Sequence, residues 1–149
     1  MTRAPLRLAL ALSAVSLPAA AQEMRPCEGY EVNARNVVWS DPSRTFANGA
    51  IRLIHLDTGG EPACCSSHLM VTYPSPEEPY DLCALISARE GLGWQWLSLS
   101  RADASYDPAT GLTVRVPASE YGEVHATPLS VAVTINQQTG EIRATVGAP

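Results

Sequence analysis

The stretch PLSVAVTINQQTGEIRATV, residues 128–146, restricts the fold more than any other part of the chain. Apolar and polar side chains alternate on both sides of an NQQTG turn, the two-residue period of a strand buried on one face. A four-residue loop, Gln137 to Gly140, puts Gly140 where a left-handed backbone is needed. Asn136 then opposes Glu141, while Ile135, Val133 and Val131 oppose Ile142, Ala144 and Val146. All six apolar side chains fall on one pleated face; Thr134, Arg143 and Thr145 fall on the other. Turn chemistry and alternation select one register, and the product is an antiparallel hairpin with a core-facing side.

The same punctuation recurs along the chain. Short apolar or alternating runs over 30–39, 50–56, 66–73, 82–88, 94–100, 111–117, 128–135 and 141–146 are separated by pieces rich in Gly, Pro, Asp and Asn. A second turn, DPATG at 107–111, repeats the chemistry of NQQTG and places Leu112, Val114 and Val116 opposite Asp107, Ser105 and Asp103. GLGWQWLSLS sets Trp94 and Trp96 on one face and Leu97 and Leu99 on the other, the pattern of a central strand. No stretch has helical periodicity. The expectation is an all-β fold, a small antiparallel β-sandwich or barrel of about seven to eight short, hairpin-connected strands, stapled by disulfides.

The first residues predict export. Arg3 and Arg7 precede an apolar run, Leu8 to Leu17, and Ala19 to Ala21 supply small residues for cleavage. This is the layout of a secretory signal over 1–21, and its apolar run is short for a membrane span. The remainder, 22–149, suits one domain opening on an irregular lead-in, 22–29. Cys27 lies six residues past the expected cleavage point, which argues against a lipoprotein anchor. All ten basic residues are arginine, a codon bias that suggests a GC-rich bacterium, so the expected location is periplasmic, with secretion as the alternative. Without Arg3 and Arg7, fifteen acidic residues face eight arginines, a net charge of −7. That balance excludes nucleic acid and anionic membrane surfaces as natural partners, and no stable membrane insertion is expected after cleavage.

Cys27, Cys64, Cys65 and Cys83 are an even set in an oxidising compartment, so two disulfides are expected. Adjacent Cα atoms are about 3.8 Å apart, whereas ordinary disulfides need about 4.4–6.8 Å. The favoured pairings therefore send Cys64 and Cys65 to Cys27 and Cys83, in either order. In an extended segment adjacent cysteines point to opposite faces and can staple two sides of one strand.

A metal site is the rival reading. If AIRLIHLD and CCSSHLMVTY form a hairpin in which Asp57 opposes Cys64, then His55, Asp57, Cys64 and His68 share one face. That set can hold zinc or copper. A one-residue slip would break it up. His125, in a loop-like stretch, reads as solvated.

The sequence contains no G-x-S-x-G elbow, H-E-x-x-H, phosphate-binding loop, dinucleotide-binding glycine pattern or C-x-x-C pair. Ser66, Ser67 and His68 are close in sequence, but triad members meet through the fold. The expected function is therefore non-catalytic: an exported binding or envelope-associated module whose partner is an unspecified protein or envelope ligand. One version is an inhibitor of a cationic hydrolase. The loops 75–81 (SPEEPYD) and 120–126 (EYGEVHA) are its expected contacts. The alternative is a periplasmic metal-binding protein using the His/Cys face.

Overall fold

The computed structural model describes residues 22–41, 43–59 and 64–149; the expected signal segment, 1–21, lies outside the described residues. In chain order the strands are β1 (Glu23–Pro26), β2 (Arg44–Phe46), β3 (Ile51–Asp57), β4 (Ser67–Pro74) and β5 (Asp81–Ser87). They continue as β6 (Trp96–Leu97), β7 (Asp103–Asp107), β8 (Gly111–Glu120), β9 (Thr127–Asn136) and β10 (Glu141–Gly147). Two five-stranded antiparallel sheets result, ordered β1-β5-β4-β3-β2 and β10-β9-β8-β6, with β7 also paired to β8. The fold is all-β and sandwich-like, as the alternation demands.

The core lies between the sheets. Ile51, Leu53, Leu69, Val71 and Ile86 of the first sheet are buried with Val114, Val116, Val131, Val133 and Ile135 of the second. The last hairpin adopts the register its sequence specifies: Asn136 opposes Glu141, Ile135 opposes Ile142, Val133 opposes Ala144 and Val131 opposes Val146. The DPATG hairpin closes one residue tighter than expected. Asp107 pairs with Gly111, so Leu112 opposes Tyr106 and Val114 opposes Ala104. The cause is the Asp107 carboxylate, whose Oδ1 accepts from Ala109 and Thr110 N–H at 2.8 and 2.9 Å and caps a shorter turn.

Two expectations at the N-terminal side are corrected. The lead-in is not irregular throughout, because Glu23–Pro26 forms β1 against β5. The run 30–39 is not a strand; it contains a 3-10 turn at Ala34–Asn36, begun by Asn33 Oδ1 accepting Arg35 N–H at 3.1 Å. β1 and β2 stand on opposite edges of the first sheet, so the chain between them must cross that sheet's outer face. It reaches the far edge where Val37 bridges Leu56 and Val38 N–H donates to the His55 carbonyl at 3.0 Å. On the outer face Leu56 and Leu85 are buried although their side chains point away from the main core. Their continuous apolar environment explains why LIHL and CALIS do not alternate.

The tryptophan stretch also departs from expectation. Trp94 and Ser67 exchange both backbone bonds, Ser67 N–H to Trp94 O at 3.1 Å and Trp94 N–H to Ser67 O at 2.7 Å, so Trp94 belongs beside the first sheet. Two residues later Trp96 pairs with Ser119 in the second sheet. The chain changes sheets between them, which buries Trp94 at 1% exposure and leaves Trp96 at 41%. Gly93 permits the approach: a Cβ there would lie 2.3 Å from the Ser67 carbonyl oxygen.

The disulfides are Cys27–Cys83 and Cys64–Cys65, not the pairings the Cα spacing favoured. The reason is position. Pro26 opposes Ala84, so Cys27 and Cys83 meet across the β1/β5 ladder. Cys83 also stands opposite Thr72, five residues along β4 from Ser67. At strand rise that is roughly 17 Å, out of reach of Cys64 and Cys65.

Candidate functional site

Three polar side chains from separate segments meet at the edge of the core. His55 on β3 and Ser67 on β4 are diagonal neighbours, since Asp57 opposes Ser67 and His55 opposes Leu69. The His55 Nε2 to Ser67 Oγ distance is 3.2 Å, and His55 Nδ1 lies 3.0 Å from Asp41 Oδ2. A carboxylate only accepts, so Nδ1 carries the proton; in the neutral ring Nε2 accepts from the Ser67 hydroxyl. His55 and Ser67 are 6% and 4% exposed.

Asp41 does more than orient a ring. Its Oδ2 and Oδ1 accept from Leu99 N–H at 2.7 Å and Ser100 N–H at 2.8 Å. Arg44 grips the carbonyl side of the same turn, donating to Leu99 O at 3.2 Å and Ala102 O at 3.0 Å. Asp41 and Arg44 therefore tie the first sheet to the turn that leads from β6 to β7. Burial alone would raise the Asp41 pKa, but the Leu99 and Ser100 amides and the His55 ring outweigh it and hold the carboxyl below its usual range.

A second polar cluster lies on the outer face, under the 27–41 crossover. His68 is 1% exposed, with Nδ1 2.9 Å from Ser87 Oγ. Glu31 pairs with Arg25 at 2.7 Å. Burial tends to raise the Glu31 pKa, but its backbone hydrogen bond and Arg25 bring it below the ordinary carboxyl value. Burial pushes the His68 ring below the ordinary histidine value of 6.5; Arg25 acts in the same direction, and Glu31, Asp57 and Glu23 oppose it. The native state thus prefers neutral His68, while the unfolded chain takes up a proton near the ordinary value. Stability is complete above that value and falls as pH drops below it. We expect the urea midpoint to be lower at about pH 5.5 than at about pH 7.5, with a smaller drop in His68→Gln. An identical drop in that variant would assign the effect elsewhere.

The expected metal face is not assembled. Asp57 pairs with Ser67 rather than Cys64, a three-residue shift, and the odd number turns His68 to the opposite face from His55. Cys64 is bonded to Cys65 and offers no thiolate. Among the described residues no group of three or more His, Cys, Asp or Glu side chains is placed to hold a metal ion. His125 is exposed, as expected of a solvated loop residue.

The two loops expected to meet a partner lie at opposite ends of the sandwich. Loop 75–81 lies beside the β9–β10 turn, where a Cβ on Gly140 would sit 2.7 Å from the Pro76 ring. Loop 120–126 joins the other ends of β8 and β9. There it adjoins the segment 91–96, since Gln95 N–H donates to Ser119 O at 3.0 Å and Trp96 pairs with Ser119. Leu92 (46%), Trp96 (41%), Tyr121 (58%) and Val124 (81%) are exposed on these two segments. Sequence periodicity could not place these two segments side by side, because that depends on the change of sheet between Trp94 and Trp96. Comparison with protein-family models, curated proteins and solved structures finds no match to this chain.

Proposed function

We propose that the protein is an exported, non-catalytic binding module of the bacterial envelope, and that its partner seats on the end formed by 91–96 and 120–126. The observation that carries this reading is the exposure of Leu92, Trp96, Tyr121 and Val124 on adjoining segments. Isolated apolar side chains on a surface need no explanation, but several gathered at one end mark an interaction site. Tryptophan and tyrosine also supply much of the binding energy in known interfaces. The opposite end offers Tyr80 among Glu77, Glu78 and Asp81. The ten-residue strands β8 and β9 separate the two ends by roughly 33 Å, so one end is taken as the contact. The export signal expected in 1–21 and the two disulfides support a periplasmic setting. The acidic balance favours a partner that is neutral or cationic, of which a cationic hydrolase is one example.

Ser67, His55 and Asp41 are linked in the order used by acyl-transfer hydrolases. Their burial speaks for a structural role. A nucleophile must meet a substrate carbonyl, whereas Ser67 is 4% exposed and its backbone is bonded in both directions to Trp94.

Photocrosslinking in the native host tests the reading. A benzophenone side chain at Val124 is expected to yield a discrete adduct that weakens when Trp96 or Tyr121 becomes alanine. An adduct from position 80 but none from position 124 would overturn the choice of surface. Labelling of Ser67 by a fluorophosphonate would overturn the non-catalytic assignment.

A further inference from the structure

We propose that the Cys64–Cys65 disulfide is a redox-reactive site, opened by a dithiol reductant while Cys27–Cys83 stays closed. The proposal is independent of where a partner binds. The two bonds do different things in the fold. Cys27 and Cys83 are 56 positions apart and face each other across paired strands. That bond closes a long loop, and the β1/β5 ladder, which ends at the adjoining Pro26–Ala84 pair, keeps the two sulfurs close whether or not they are bonded. Cys64–Cys65 has a sequence separation of 1 and closes no loop of consequence. Its contribution to stability through chain entropy is correspondingly small.

The local backbone points the same way. Cys65 has φ of 74°, in the left-handed region that residues with a Cβ avoid. It lies outside the ladder, since β4 begins at Ser67, and its backbone is held there by the bond from Gly93 N–H to its carbonyl at 2.6 Å. Without the disulfide the left-handed backbone at Cys65 relaxes toward an extended one, in which adjacent side chains point apart, and the Gly93 hydrogen bond must shift with it. Native structure therefore favours the closed state of Cys27–Cys83 and the open state of Cys64–Cys65. Both cysteines of the adjacent pair are half-buried rather than enclosed, so a small or protein dithiol can reach them.

One thiolate of the reductant attacks a sulfur of the Cys64–Cys65 bond, forming a mixed disulfide and expelling the other cysteine as thiolate, which takes a proton. The second thiol of the reductant then attacks the mixed disulfide and releases the remaining cysteine. Two electrons pass to the protein, and the dithiol leaves as its own disulfide.

The consequence is carried by Gly93. Its N–H donates to the Cys65 carbonyl at 2.6 Å, and the next residue, Trp94, is buried against Ser67. Rotation of Cys65 out of the left-handed region moves that carbonyl and loosens the seat of Trp94. Opening of the bond is thus reported by a buried indole, and it alters the segment that presents Leu92 and Trp96.

The test is a titration of the folded protein with dithiothreitol, followed by maleimide trapping and peptide mapping. Cys64 and Cys65 are expected to be half-labelled at a reductant concentration at least about tenfold below that for Cys27 and Cys83. In a Trp39→Phe/Trp96→Phe background, where Trp94 is the remaining tryptophan, its emission is expected to shift in step with that first labelling. A Cys64→Ala/Cys65→Ala variant is expected to show no shift over the same range. Opening of Cys27–Cys83 first, or of both bonds together, would overturn the reactive-site assignment. Labelling of Cys64 and Cys65 with unchanged Trp94 emission would overturn the coupling.

Discussion

Replacing Cys27 and Cys83 together by serine should lower the stability of the fold by roughly 4 kcal/mol. The bond spans a sequence separation of 56, and the loop-closure entropy it removes from the unfolded chain is correspondingly large. It also fixes the end of β1, a four-residue edge strand otherwise held by its ladder with β5, the Arg25–Glu31 pair and the contact of Glu23 Oε2 with Gly91 N–H at 3.1 Å. Removing Cys64 and Cys65 by the same substitution should cost about 1 kcal/mol or less, since an adjacent pair hardly restricts the unfolded chain. Urea unfolding of the two double variants at neutral pH measures both numbers. Equal losses would mean that the adjacent bond is a structural staple and that the contrast between the two disulfides is wrong.

Asp41→Ala should cost about 3 kcal/mol or more. The side chain is largely buried beside His55, and the pair lies 3.0 Å apart. One carboxylate serves three donors, and its loss strands the His55 Nδ1–H and the Leu99 amide in a part-buried setting while the exposed Ser100 amide turns to water. Unsatisfied buried donors cost more than the net value of the bonds they made. Asp41→Asn retains an acceptor of the same shape and should lose roughly half as much. A double-mutant cycle with His55→Ala should show a coupling of about 1–3 kcal/mol, because the two side chains act on one network. A loss below 1 kcal/mol in Asp41→Ala would show that the turn at 98–102 holds without the clamp. The depressed carboxyls of Asp41, Glu31 and Asp57 have a further consequence. Their stabilisation is present above the ordinary carboxyl range and is lost as pH falls through their lowered native values, so the protein should unfold in acid.

The fold was legible where one residue pattern settled two questions at once. In 128–146 the turn fixed the loop length, and alternation fixed the face, so the register was determined before any tertiary contact was considered. The β3–β4 hairpin had no such marker. Its connection carries TGGEPA, several turns fit it, and an offset of three residues decided whether His55 and His68 would meet. The paired cysteines misled for a related reason. The Cα-distance rule describes ordinary disulfides, whereas what mattered was the distance from the β3–β4 connection to Cys83, a property of the sheet. The clamp of Asp41, His55 and Ser67 was invisible because Asp41 enters from a crossover whose run, 30–39, reads locally as a strand. Trp94 and Trp96 show the limit of alternation: a period of two holds only while the chain stays in one sheet.

Which sulfurs are joined follows directly from the strand order β1-β5-β4-β3-β2. Mass spectrometry of a non-reduced digest, cleaved between residues 27 and 64 and between 65 and 83, measures it. The expected products are a crosslinked pair of peptides containing Cys27 and Cys83, and a single peptide lighter by two hydrogens containing Cys64 and Cys65. A peptide joining Cys27 or Cys83 to Cys64 or Cys65 would contradict both the sheet order and the redox site built on it.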